Sequence, residues 1–151
     1  MTAYLVDVNI LLALSWPGHQ FHGLVEQWFA RNSSKGWATC PLVEAGFVRI
    51  LSSPAFSSRA VTTKEAFEAL EFNTRHPDHQ FWPDDLPLAQ ARGNVRITVT
   101  GPQQVTDVYL LALAIHHGGK LATLDKRLGN LVGGQKERAH LEILLPNHRL
   151  T

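Results

Sequence analysis

Short runs of β-forming apolar residues alternate along this chain with longer amphipathic stretches, and the first run ends on a charge. Ala3-Tyr4-Leu5-Val6 meets Asp7 before the apolar pattern resumes. An apolar run without polar alternation marks a strand covered on both faces, as in parallel sheets flanked by helices. The pattern therefore predicts a strand over Ala3–Val8. A carboxylate there is a constraint in its own right. Buried and unpaired, it costs several kcal/mol, a large part of a domain's net stability, so Asp7 must be neutralised, partnered or bound to a cation.

The alternation repeats. Phe21, Leu24, Val25, Trp28 and Phe29 recur at helical spacing and predict an amphipathic helix over His19–Asn32, stopped by Lys35-Gly36. Gly36–Thr39 reads as a second strand, and Pro41, favoured in a first helical turn, opens a helix with the stripe Val43, Phe47, Ile50 and Leu51. Thr62 or Thr63 with Glu65 starts a helix running to Arg75, after which Gln80-Phe81-Trp82 reads as a strand. Leu86–Gly93 reads as a short helix, and Gly101-Pro102 leads into an apolar helix that ends at His116-His117 before Gly118-Gly119. Protonated histidines suit that helix end. Lys120–Leu124 and Leu141–Leu145 supply further strands. The alternation predicts an α/β chain, a three-layer α/β/α sandwich with a mainly parallel central sheet.

Composition narrows the partners. With 151 residues, 44% of them hydrophobic, the chain is expected to form one domain over 1–151 with a sizeable core. A net charge of +1 excludes a purely charge-driven polyanion binder, so any nucleic acid must be held by local clusters. The single cysteine, Cys40, excludes an internal disulfide and any CxxC motif, and the expected compartment is the cytoplasm. No export signal is expected at the N-terminus. The apolar run Val108–Ile115 is far short of the ~20 residues that cross a bilayer.

Two acids stand at strand ends, Asp7 after the first and Asp125 after Leu121-Ala122-Thr123-Leu124. Ligands of open parallel sheets bind outside the carboxyl ends of the strands, so both side chains face one crevice if the strands are neighbours. Glu44 and Asp107 sit near helix starts. Taken singly, these two complement a helix dipole and Asp125 suits a turn. Gathered within ~5 Å, each pair of the four would repel by roughly 3 kcal/mol at an effective dielectric of 20, which calls for divalent cations. A site of oxygen donors alone suits Mg²⁺, or Mn²⁺ in its place, rather than Zn²⁺, and a bound water becomes a candidate nucleophile.

In that order and spacing, LVDVNILLAL, PLVEAGFVRILSSPAF, HQFWPDD and VTDVYLLALAIHHGGKLATLD resemble the PIN-domain ribonuclease toxins of the VapC family, especially the mycobacterial subfamily. The resemblance spans nearly the whole chain. It implies a PIN-like fold and carries Asp7, Glu44, Asp107 and Asp125 over as catalytic and metal-holding acids, with Asn9 and Thr123 as polar supports. It implies Mg²⁺- or Mn²⁺-dependent endoribonuclease action as the toxin of a type II toxin–antitoxin pair, an RNA substrate, homodimerisation and a VapB-type antitoxin. Phosphodiester hydrolysis by a metal-activated water would leave a 5′-phosphate and a 3′-hydroxyl. Arg49, Lys126 and Arg127, with Arg92 and Arg96, are candidates to touch the RNA backbone, and ordinary solvated surface explains each equally well.

Other features carry less. His19 and His22 share a helical i, i+3 spacing but have no third ligand, and no role is assigned to the pair or to Cys40. Gly129–Lys136 departs from a phosphate loop and reads as a surface loop. The stripe Phe21, Trp28 and Phe29 reads as core. Rival functions are a PIN-like nuclease acting in RNA processing or on DNA, and a catalytically idle PIN-like binding module. A phosphatase with Asp7 as covalent nucleophile wants a second aspartate two residues on, where this chain has Asn9.

Overall fold

The structure is a computed structural model, and it describes residues 2–56 and 61–146. The strands are β1 (Tyr4–Val6), β2 (Trp37–Thr39), β3 (His79–Phe81), β4 (Lys120–Thr123) and β5 (Leu141–Ile143). They form one sheet in the order β3-β2-β1-β4-β5, every pair parallel. The chain starts at the centre, steps outward through β2 and β3, then returns past β1 to lay down β4 and β5. This reversal is the topological switch point at which open α/β sheets form their ligand crevice.

The crossovers are α1 (Val8–Ser15), α2 (His22–Asn32), α3 (Pro41–Leu51), α4 (Thr63–Thr74), α5 (Leu88–Asn94), α6 (Gln104–His116), α7 (Arg127–Leu131) and α8 (Gln135–Ala139). Helix α1 packs on α2 and α3, whereas α6 packs on α5. Right-handed crossovers put the two groups on opposite faces, because the direction of winding reverses at β1. The result is the three-layer sandwich, with a sheet that is parallel throughout.

Burial explains the apolar runs. Leu5, Ala38, Leu121 and Ala122 are completely buried, as strands covered on both faces require. Helix α6 buries Leu110, Leu111, Leu113 and Ala114 completely, so it is a core helix rather than an amphipathic one. Each such leucine contributes roughly 1.5–3 kcal/mol of transfer free energy.

Several boundaries differ from the sequence reading. The first strand ends at Val6 and α1 begins at Val8, within the expected strand. Asp7 is the reason: its backbone is extended and its carboxylate accepts from Val8 N at 2.7 Å, which caps a helix. His19 lies outside α2, and its Nδ1 accepts from Phe21 N at 3.0 Å. The stretch expected as a surface loop from Gly129 holds most of α7 and the start of α8 instead. Buried Leu128 and Glu137 anchor these two helices, and Glu137 accepts from Arg96 N at 3.2 Å.

Candidate active site

The central strands deliver two carboxylates to one rim. β1 and β4 are paired with Val6 opposite Ala122, so Asp7 and Thr123 follow side by side at their carboxyl ends. Thr123 Oγ1 donates to Asp7 Oδ2 at 2.7 Å and accepts from Asn9 Nδ2 and from Asp125 N, each at 3.1 Å. A hydroxyl has one proton and two lone pairs, so this threonine is fully committed and its proton belongs to Asp7. Asn9 Oδ1 accepts from Leu124 N at 3.1 Å, which ties α1 to the segment that carries Asp125. Asn9 and Thr123 thus orient the aspartates on either side of the switch point.

Helix α6 adds Asp107 from its first turn. Burial, and then the negative charges of Asp7 and Asp125, push its carboxyl up to about 6, with Arg127 opposing. A helix N-terminus favours an ionised acid by only ~0.3–1 kcal/mol, while each pKa unit represents ~1.4 kcal/mol, so desolvation and like charge win here. Asp7 is raised chiefly by burial and further by Asp125, against the hydrogen bonds from Thr123 and Val8 that favour its ionised form. The three aspartates therefore act on one another. Among the described residues, however, no three of the rim carboxylates bring ligand oxygens within 4.8 Å of one another.

Glu44 reaches the rim from the β2 side. Thr39, the last residue of β2, donates through Oγ1 to Glu44 Oε2 at 2.7 Å. His79 Nε2 lies 2.8 Å from the same hydroxyl, whose proton is already given to Glu44, so the imidazole donates through Nε2. Burial lowers the His79 pKa and the Glu44 charge opposes that. Sequence reasoning missed Thr39 and His79. The signal was there, because Trp37-Ala38-Thr39 repeats the Leu121-Ala122-Thr123 pattern and ends on the same hydroxyl.

The basic candidates separate. Arg127 is committed to Asp125, donating to its Oδ1 from the backbone at 3.0 Å and from Nε at 3.4 Å. Lys126 is exposed beside it, and Arg49 is exposed on α3, where it lines a groove with Glu44, Ser52, Thr63 and Phe67. Arg92 borders an apolar cavity with Leu88 and Val99, and Arg96 contacts Glu137 through its backbone. His22 is spent on Ala13 O at 2.7 Å and on Glu26 at 3.4 Å, so the His19/His22 pair does not form a metal site. Cys40 is completely buried with its thiol pushed up to about 12, which makes it inert.

Among the described residues, Arg127 is the one cation that opposes the raised pKa of Asp107. All-oxygen donors carrying uncompensated negative charge suit a hard divalent cation. Carboxylates standing too far apart for a closed shell suit an ion that keeps several waters. Fold and rim together define the class, a parallel α/β protein with an acidic crevice at its switch point, of a kind suited to a divalent cation.

Comparison with known proteins agrees. Residues 4–133 match the PIN domain family. The chain is 44% identical over 130 residues to Ribonuclease VapC39 of Mycobacterium tuberculosis, covering 86% of this chain and 93% of that one. It is 39% identical over 140 residues to Ribonuclease VapC38 of the same organism, covering 93% and 96%. Among solved structures it superposes on M. tuberculosis VapC20, described as a Sarcin-Ricin loop cleaving toxin. That match has a TM-score of 0.61 and 16% identity, over 95% of this chain and 99% of that one. VapBC2 from Rickettsia felis, bound to a promoter DNA fragment, gives 0.61 at 15% identity over 94% and 98%. The chain belongs to the PIN-domain family, among its VapC ribonucleases. It is a nuclease, and no helix among the described residues is long and apolar enough to cross a membrane.

Proposed function

We propose that the chain, one PIN domain over residues 1–151, is the endoribonuclease toxin of a toxin–antitoxin pair, and that Asp7, Glu44, Asp107 and Asp125 form its catalytic and cation-holding site. The observation that carries this reading is the gathering of three aspartates at the β1/β4 switch point, where burial and then the charges of Asp7 and Asp125 lift Asp107 to about 6. The ion is Mg²⁺, with Mn²⁺ able to replace it, as an all-oxygen donor set favours. When bound, such an ion neutralises the scissile phosphate and makes water a stronger nucleophile.

This chain's own residues do the positioning. Thr123 and Asn9 fix Asp7, Thr123 also holds the Asp125 backbone, and Thr39 with His79 fixes Glu44. Arg127, beside Asp125, together with exposed Lys126 and Arg49, contacts the RNA backbone. No 2′-hydroxyl is needed as nucleophile, so cleavage leaves a 5′-phosphate and a 3′-hydroxyl. The VapBC pairing of the R. felis neighbour supports a VapB-type antitoxin as partner. Exposed Leu42, Leu88, Val99 and Val105, which line adjoining apolar hollows, support a homodimer contact. An RNA substrate and a free, buried thiol support a cytoplasmic location.

Purified, antitoxin-free protein incubated with RNA and with DNA, with Mg²⁺ or with EDTA, tests the reading. RNA cut only with the cation, with 5′-phosphate ends, is expected; 2′,3′-cyclic phosphate ends or cleavage in EDTA would overturn it.

A further inference from the structure

The far end of α6 holds a cluster that cleavage does not use. His116 Nε2 and His117 Nε2 both point at one oxygen, Asp85 Oδ1, at 3.7 and 3.1 Å, and the three ligand atoms lie within 4.8 Å of one another. Tetrahedral Zn²⁺ with bonds of ~2.0–2.2 Å separates neighbouring ligand atoms by ~3.3 Å, so the observed distances bracket what such an ion requires. An ion pair accounts for one histidine on that oxygen. His117 Nε2 is within hydrogen-bond distance of it, whereas His116 Nε2 at 3.7 Å is not, so the second imidazole is left facing the same point without a bond to hold it there.

The site is also prepared for a cation. The Trp82 indole stacks on the His117 ring at 4.6 Å and 13°, which holds one ligand in place beforehand. The C-terminus of α6 carries the negative end of the helix dipole and so favours positive charge. His116 and Asp85 are 43% and 42% exposed, leaving room for water to complete the shell. Nine helical steps take the chain from Asp107 to His116, ~14 Å along the axis, so this cluster is not part of the acidic rim.

We propose that Asp85, His116 and His117 form a transition-metal site of the Zn²⁺ class, tying the segment between β3 and α5 to the end of α6. Two imidazoles and one carboxylate are the donors that select Zn²⁺ over Mg²⁺. The site is structural, and it raises stability by binding the folded chain alone.

The test titrates metal-stripped full-length protein with Zn²⁺ by calorimetry in excess Mg²⁺, and follows melting with and without Zn²⁺. Wild type and Asp107→Asn are expected to take up one Zn²⁺ per chain and to melt higher with it. His116→Gln and Asp85→Asn should bind it more than ~100-fold more weakly, since outer partners of metal ligands alone are worth ~10–100-fold. Exposed His116 is the cleaner variant, because changing His117 would also remove the Trp82 stack. No Zn²⁺ uptake by the wild type, undiminished uptake by His116→Gln, or uptake abolished by Asp107→Asn would each overturn the proposal.

Discussion

At its first turn α6 presents Asp107 to two further aspartates and one arginine, whereas at its last turn it presents His116 and His117 to a single aspartate. At the last turn, dipole and charge agree: cationic or cation-binding groups sit where the helix favours them. At the first turn the dipole favours an ionised acid, yet burial and neighbouring negative charge raise Asp107 to about 6. The end where local preferences conflict is the one that needs something outside the chain to settle it. That conflict is what the proposed cation would relieve.

Breaking the rim gives the largest expected effect. Asp7→Asn or Asp107→Asn should lower RNA cleavage on the order of a thousandfold, because a cation's stabilisation of the transition state is worth several kcal/mol. Circular dichroism should report an unchanged fold. If both variants cut normally, the site is elsewhere.

The threonines come next. Thr123→Val removes the hydroxyl that holds Asp7 and is expected to lose ~10–100-fold in cleavage, as loss of a partner behind a metal ligand does. Thr39→Val should cost less, because Glu44 stands beside the aspartate group rather than within it. Reversal of that order, measured in one cleavage assay, would move the centre of the site toward β2.

A pH series sharpens the same contrast. Asp107 in the fold holds its proton up to about 6, above the ordinary aspartate range, so the folded state binds more protons than the unfolded one in that window. Without divalent cations, this group's contribution makes melting temperature fall as pH rises from the ordinary aspartate range through about 6, then level off. Mg²⁺ should raise the melting temperature more at pH 7 than at pH 5, and Asp107→Asn should flatten the metal-free slope. The smallest effect belongs to the other end of α6, where His116→Gln should leave cleavage unchanged. In metal-free melting it should cost under ~1 kcal/mol, as an exposed pair does.

The residues also explain what could be read in advance. Asp7 and Asp125 were legible because strand ends in a parallel sheet have a direction, and both apolar runs stop at an acid. Asn9 and Thr123 were legible only through the family resemblance, since nothing local says that residues 114 apart share a hydrogen bond. Helix α1 was hidden because Asp7 serves two roles, strand-end carboxylate and helix cap, inside one continuous apolar run. Helix α7 was hidden by Gly129 and the start of α8 by Gly133-Gly134 before it, and burial of Leu128 and Glu137 outweighs that local preference. Asp85 became a partner of His116 and His117 only when the segment between β3 and α5 met the end of α6. Pairings of that kind depend on topology, which helical and strand periodicity do not encode.

Anomalous scattering from crystals grown with Mn²⁺ addresses the central claim most directly. The account predicts a manganese peak at the carboxyl ends of β1 and β4, among the carboxylates of Asp7, Asp107 and Asp125. A crystal in which manganese touches none of these three, with the protein still cutting RNA, would contradict it.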